Sequence, residues 1–166
     1  QISAQGVITV TPAANGEKAK GVKIEGVKIV GARQANVGFQ SANGTRKGWN
    51  AAAAGIALYK CESVLIQHCA ITDNDNGIFG KSYGNTEGDI SGVSVEHCNF
   101  SSNGVSGSDR FHNSYIEAIG TRYMFCHYFK PAVGSAGCNL KDRGVGTQIG
   151  YCFFEGGARI IDLVDP

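Results

Sequence analysis

The sequence predicts an all-β solenoid of about five coils with an inserted loop after the first coil, and three observations predict it. The phrase SVLIQHCAITDNDNGIFG (63–80) returns as GVSVEHCNFSSNGVSG (92–107), and its cysteine recurs in RYMFCHYF and TQIGYCFF, so that cysteines stand at 69, 98, 126 and 152. Their spacings of 29, 28 and 26 residues are those of stacked structural repeats. Around each cysteine apolar residues alternate with polar ones: Ile66, Val95, Tyr123 and Ile149 stand three before it, and Ile71, Phe100, Tyr128 and Phe154 two after. Period-two alternation rich in β-branched and aromatic residues is the signature of strands. Finally, Gly is abundant at 24 of 166 while Pro is only 3, which fits many tight turns without proline-rich disorder.

Taken in order, the first coil is GVKIEGVKIVG (21–31), with Val27 in the cysteine slot between Ile24 and Ile29. An insertion from Ala32 to Gly55 follows and accounts for the 42 residues between Val27 and Cys69. Within it WNAAAAGIALY alone has a helical composition, which Gly55 cuts to about one turn. The later coils each gain a second strand, in GIFG, YIEAIG, CNLKD and RIIDL, and NDNG and SSNG supply corners where Asn and Gly tolerate positive φ. Equivalent residues of successive coils stack ~4.8 Å apart, so Cys69, Cys98, Cys126 and Cys152 form an internal ladder of small polarizable side chains. Six cysteines suit disulfides, but rung spacing is long for a Cβ–Cβ approach of at most ~4.5 Å, and free buried thiols are expected. Cys61 and Cys138 stand outside the ladder.

The chain fits a single domain, 1–166, and 42% hydrophobic residues suffice for a core. It opens at Gln1, and its only methionine is Met124, which reads as a processed or excised part of a longer chain. A net charge of +1 provides no long-range field for nucleic acid. No apolar run approaches the ~20 residues that cross a bilayer, so neither nucleic acid nor membrane is expected as a partner.

Lys141 and Arg143 are two apart in a strand and project from one face, where both reach one ligand. His112 and Asn113 lie about one coil upstream and, with Asp109 and Arg110, complete a polar groove. Glu117 and Asp162 fall on or near the same ladder, Asn113 and Asn139 offer amides to a substrate, and Trp49 in the insertion offers a flat face for a sugar ring. Tyr59, Tyr83 and Tyr115 are further aromatic candidates, whereas most rings from Tyr123 to Phe129 are expected in the interior. Lys141, Asp142 and Arg143 also fit an exposed charged cluster that keeps a solenoid soluble, with His112 at a corner and Asp162 capping a strand end. TDNDNG offers Asp73, Asn74, Asp75 and Asn76 as calcium ligands, but the EF-hand glutamate is missing, since that position is Gly84. An Asx-rich turn is the expected reading, and no cofactor is required. His–Cys pairs at 68–69, 97–98 and 126–127 point to opposite faces of a strand, which argues against a metal site.

The recurring VxIxxCxIxxNxxGI coil resembles the right-handed parallel β-helix superfamily of pectate-lyase-like and other polysaccharide-active proteins, over roughly Gly21 to Pro166. HNSYIEAIG, GCNLKDR and GGARIIDL are similar to a group of bacterial secreted β-helix proteins with coils HNxYI, GHxLKSR and a Tyr-containing strand ending IDLP. Here Cys138 stands for the His and Asp142 for the Ser of that pattern, and IIDLVDP replaces its ending. The resemblance implies a right-handed parallel β-helix, secreted or on the cell surface, that binds or cleaves polysaccharide. A uronate lyase would use Lys141 as the base and Arg143 as the carboxylate clamp, with His112 and Asp162 completing the catalytic group. The alternative is a structural module of an adhesin, surface layer or filament, associating end to end through uncapped ladder edges.

Overall fold

Strands begin where the alternation begins. The computed structural model describes residues 5–36, 38–41, 43–81 and 89–164. Its first strands are β1 (Gly6–Val10), β2 (Ala19–Lys20), β3 (Lys23–Glu25) and β4 (Lys28–Val30), followed by a small antiparallel hairpin of β5 (Phe39–Gln40) and β6 (Arg46–Lys47). Next come β7 (Ala54–Leu58), β8 (Cys61–Gln67) and β9 (Ala70–Thr72), then β10 (Asn76–Gly80), β11 (Ile90–Glu96) and β12 (Asn99–Ser101). The chain continues through β13 (Ser114–Ile116), β14 (Arg122–Met124) and β15 (His127–Tyr128), then β16 (Cys138–Asp142), β17 (Gln148–Gly150) and β18 (Phe153–Phe154), and closes with β19 (Arg159–Leu163). Among the described residues there is no helix.

All pairings between the described strands outside the hairpin are parallel, and they form three stacked sheets. The first runs β1-β7-β10-β13-β16-β19, the second β17-β14-β11-β8-β2 with β3 also on β8, and the third β18-β15-β12-β9-β4. The chain therefore visits the sheets in one cyclic order, and the unit of construction is one strand in each. CNLKD and RIIDL are strands with the bounds the alternation marks.

The inward columns make the core. Ile24, Ile66, Val95, Tyr123 and Ile149 are in register in the second sheet, and Ile29, Ile71, Phe100, Tyr128 and Phe154 in the third. Phe100 and Tyr128 stack with centroids 4.5 Å apart, and Tyr128 and Phe154 at 4.8 Å. Cys69, Cys98 and Cys126 are buried in line with half-buried Cys152, and all six cysteines are free thiols.

Two expectations need correction. The alanine run does not form a helical turn: Ala54 and Gly55 open β7, whose five residues are all buried between β1 and β10. Tertiary burial overrides alanine's helix propensity. Gly55 belongs there because a Cβ would come within 2.9 Å of the Gly77 carbonyl and 3.0 Å of Ile71. At the corners, positive φ falls on Gly104 (115°), as expected of a glycine, and on Asp73 (57°) and Ser102 (54°), not on the asparagines that follow them. Asn74 and Asn103 turn inward instead. Asn74 Nδ2 donates to Asn103 Oδ1 (3.0 Å), Asn103 Nδ2 to Asn113 Oδ1 (2.8 Å), Asn113 Nδ2 to Asn139 Oδ1 (2.6 Å), and Asn139 Nδ2 to the Gly156 carbonyl (2.7 Å).

Candidate functional site

The outward face of the first sheet gathers the chemistry. Phe79, Tyr115, Lys141 and Asp162 occupy successive rungs of one column. Phe79 and Tyr115 rings approach to 5.4 Å, and His112 packs against Tyr115 at 5.7 Å. Beside the aromatic half lies a charged half. Lys141 Nζ is 3.2 Å and Arg159 Nη1 3.0 Å from Asp162 Oδ2, while the Cys138 thiol reaches the same oxygen at 3.7 Å. Arg143 Nε faces Glu117 at 4.0 Å, and Glu117 also accepts a short hydrogen bond from the Tyr115 hydroxyl.

Two loops border this face where the chain passes from third to first sheet. The segment before β13 and the segment before β16 are pinned together, with Gly107 N donating to Gly134 O (2.9 Å) and Ala136 N to Ser108 O (3.0 Å). Arg159 Nη2 reaches the Asp109 carbonyl at 3.4 Å, tying the first loop to the charged cluster. Arg110 is exposed on that loop.

Electrostatics follow from burial and partners. Burial, with help from the Lys141 and Arg159 charges, holds His112 down to about 4. Its Nδ1 accepts the Cys138 backbone N–H at 2.9 Å, so in the neutral ring the proton sits on Nε2. Burial opposes ionisation of Asp162, but the hydrogen bond from Lys141 and the charges of Lys141 and Arg159 outweigh it and keep the carboxyl below its ordinary range. Burial pushes the Cys138 thiol up to about 11. Burial, then Glu117, raises Tyr115 as well.

The structure thus brings together His112, Lys141 and Asp162, with Arg143 alongside on the Glu117 side. It does not bring the amides with them. Asn113 and Asn139 are fully buried and spend their side chains in the asparagine ladder, so the expectation that they contact substrate is corrected. Asp142, expected in an exposed cluster with its neighbours, points inward: it accepts from Tyr123 OH (3.0 Å), Gly144 N (2.8 Å) and Thr147 Oγ1 (2.7 Å). Trp49 packs on Phe39 at 4.8 Å in the hairpin region that leads into β7, which is separated from β16 by two intervening strands, β10 and β13. Tyr83 and Gly84 lie outside the described residues. Tyr115, one of the expected aromatic candidates, joins the site together with Phe79 and Arg159, which no expectation singled out. Their signal was register, since Tyr115 aligns with Lys141, and Lys141 with Asp162.

The TDNDNG corner holds a guanidinium. Arg33 Nε donates to Asp73 Oδ1 (2.6 Å), Nη1 to Gly104 O (2.8 Å) and Nη2 to Ser102 O (2.6 Å), while Gln34 N donates to Asp75 Oδ2 (2.9 Å). Among the described residues no group of three or more His, Cys, Asp or Glu is placed to hold a metal ion. The residue before each ladder cysteine points outward, and these form a second column: His68, His97, Phe125 and Tyr151 stack at 4.9, 4.9 and 5.0 Å. The expectation that the rings of 123–129 fill the interior holds for Tyr123 and Tyr128, whereas Phe125 is exposed.

No protein-family model, curated protein or solved structure matches this chain.

Proposed function

We propose that the chain is a right-handed parallel β-helix of about five coils, secreted or displayed at the cell surface, which binds an acidic polysaccharide along the outer face of its first sheet. One observation carries the reading: the Phe79–Tyr115 aromatic pair runs in register into Lys141, with Arg143 and Arg159 beside it. Half-buried Phe79, backed by buried Tyr115, offers an aromatic face to the apolar C–H surface of a sugar ring, and guanidinium groups take carboxylates bidentately. Neutral His112 contributes an Nε2–H donor at the edge of the same face. Binding is favoured over cleavage because Lys141 would have to leave its ion pair with Asp162 to serve as a base.

Titration calorimetry with polygalacturonate, alginate and a neutral glycan tests this. The expected result is binding of an acidic glycan that salt weakens and that Lys141→Ala with Arg143→Ala removes. No binding to any acidic glycan rejects the proposal. Absorbance at 235 nm in the same samples reads lyase activity, and a rise that Lys141→Ala abolishes would move the reading from binding to elimination.

A second reading, end-to-end self-association, is favoured by a specific observation. In the last strand Ile161 and Leu163 remain 41 and 60% exposed, whereas their register counterparts Ile78 and Ile116 in the middle rungs are fully buried. Sedimentation velocity at rising concentration tests it, and a strictly monomeric particle rejects it.

A further inference from the structure

We propose that Cys126 and Cys152 form a two-coordinate site for a soft, divalent, thiophilic metal ion, held between neighbouring rungs of the stack. The four ladder thiols share one orientation. Each Sγ donates to the carbonyl two residues earlier on its own rung, Gln67, Glu96, Met124 or Gly150, at 3.2–3.4 Å. Each also reaches a carbonyl of the preceding rung, Ile24, Ile66, Val95 or Tyr123, at 3.4–3.7 Å. Side chains oriented alike on in-register rungs repeat with the rung itself, so successive sulfurs are ~4.8 Å apart.

That spacing is wrong for a disulfide, whose sulfurs must close to ~2 Å. It is right for a metal. Two metal–thiolate bonds of ~2.3 Å laid end to end span ~4.6 Å, so an ion midway between stacked sulfurs meets both without a change of rotamer. Soft thiolate ligands select soft ions. Zinc, which asks for four ligands, finds two.

Charge decides the valence. The reaction breaks two S–H bonds, forms two metal–sulfur bonds and releases two protons to solvent, with no electron transferred. A divalent ion then leaves a neutral unit, whereas a monovalent ion leaves a net negative charge in the apolar interior, which is costly to bury. Access decides the rung. Cys61, Cys98 and Cys138 are fully buried and Cys69 nearly so, but Cys152 is half-buried between exposed Tyr151 and Phe153.

Mercury(II) is the probe, added to the reduced protein and followed by native mass spectrometry, proton release and X-ray absorption. Expected are one tightly held ion per chain, about two protons released per ion, and two sulfur neighbours at about 2.3 Å. Cys152→Ala and Cys126→Ala should each weaken binding by at least about 100-fold, while Cys61→Ala and an equal dose of zinc(II) leave it unchanged or give none. Retention of the ion in Cys152→Ala, or a wild-type absorption spectrum with one sulfur neighbour or with three or more, overturns the proposal. The absorption measurement uses the unaltered chain, so it decides even where a variant folds poorly.

Discussion

Asn103 is the residue on which the corner ladder turns. It is fully buried, and its side chain makes four hydrogen bonds: Oδ1 accepts from Asn74 N (3.1 Å) and Asn74 Nδ2 (3.0 Å), and Nδ2 donates to Ile71 O (2.9 Å) and Asn113 Oδ1 (2.8 Å). Asn103→Ala removes all four; Asn74 Nδ2 keeps the Thr72 carbonyl (2.9 Å), and three other interior polar atoms lose a bond. Each such group costs at least about 1 kcal/mol, so the variant should lose about 3 kcal/mol. At this chain length 1 kcal/mol moves the melting temperature by roughly 2–4 °C, and the shift should be roughly 6–12 °C downward. Asn103→Asp is the sharper test. It keeps the shape and the two accepted bonds but sets a carboxylate oxygen against the Ile71 carbonyl and Asn113 Oδ1, so it should destabilise at least as much as alanine. Urea denaturation followed by circular dichroism measures both. A loss below about 1 kcal/mol for both variants would refute the claim that the ladder holds the corner together.

Two tyrosines should answer in opposite directions. Tyr128 has a buried hydroxyl with no hydrogen-bond partner among the described residues, so Tyr128→Phe should be neutral or stabilise by up to about 2 kcal/mol, while Tyr123→Phe, which strips a bond from buried Asp142, should cost about 1–3 kcal/mol; thermal melts compare them. His112, with a folded pKa of about 4 against an ordinary 6.5, is neutral in the fold where the unfolded chain is already protonated. Its contribution is therefore complete above pH 6.5 and declines by roughly 3 kcal/mol as pH falls to about 4; His112→Gln should flatten that part of a stability–pH curve, and an unchanged curve would contradict the buried neutral ring. Arg33→Ala should free the insertion from the Asp73–Asp75 corner, seen as rapid proteolytic cleavage within residues 34–53 with the remaining strands still protected.

Much of this architecture was legible because its determinants are periodic. The cysteine and its flanking apolar residues repeat every coil, so the core columns and the bounds of β16 and β19 follow from alternation alone. The site was half legible for a related reason. Lys141, His112 and Asp162 converge because strand alternation and coil spacing bring them together, while Phe79 and Arg159 carry no motif and become visible only once the rungs are set in exact register. Asn113, Asn139 and Asp142 were misplaced because polarity on a strand ordinarily means solvent. Here the corners bury polar groups by pairing them with one another, and the sequence has no local mark that distinguishes a paired interior amide from an exposed one. Ala51–Ala54 misleads similarly, since small residues suit a helix and also a strand squeezed between two others.

Asp162 and Arg159 lie on β19, whose neighbouring Ile161 and Leu163 are the least covered side chains of their columns. A segment with so little protection opens at a smaller free energy than the rungs above it. Half of the charged cluster is thus mounted on a strand whose inward side chains are poorly covered. Any anion gripped there is coupled to the ordering of that segment: occupancy should slow amide exchange in 159–163 far more than elsewhere, and loosening the segment should lower affinity without touching a single contacting atom.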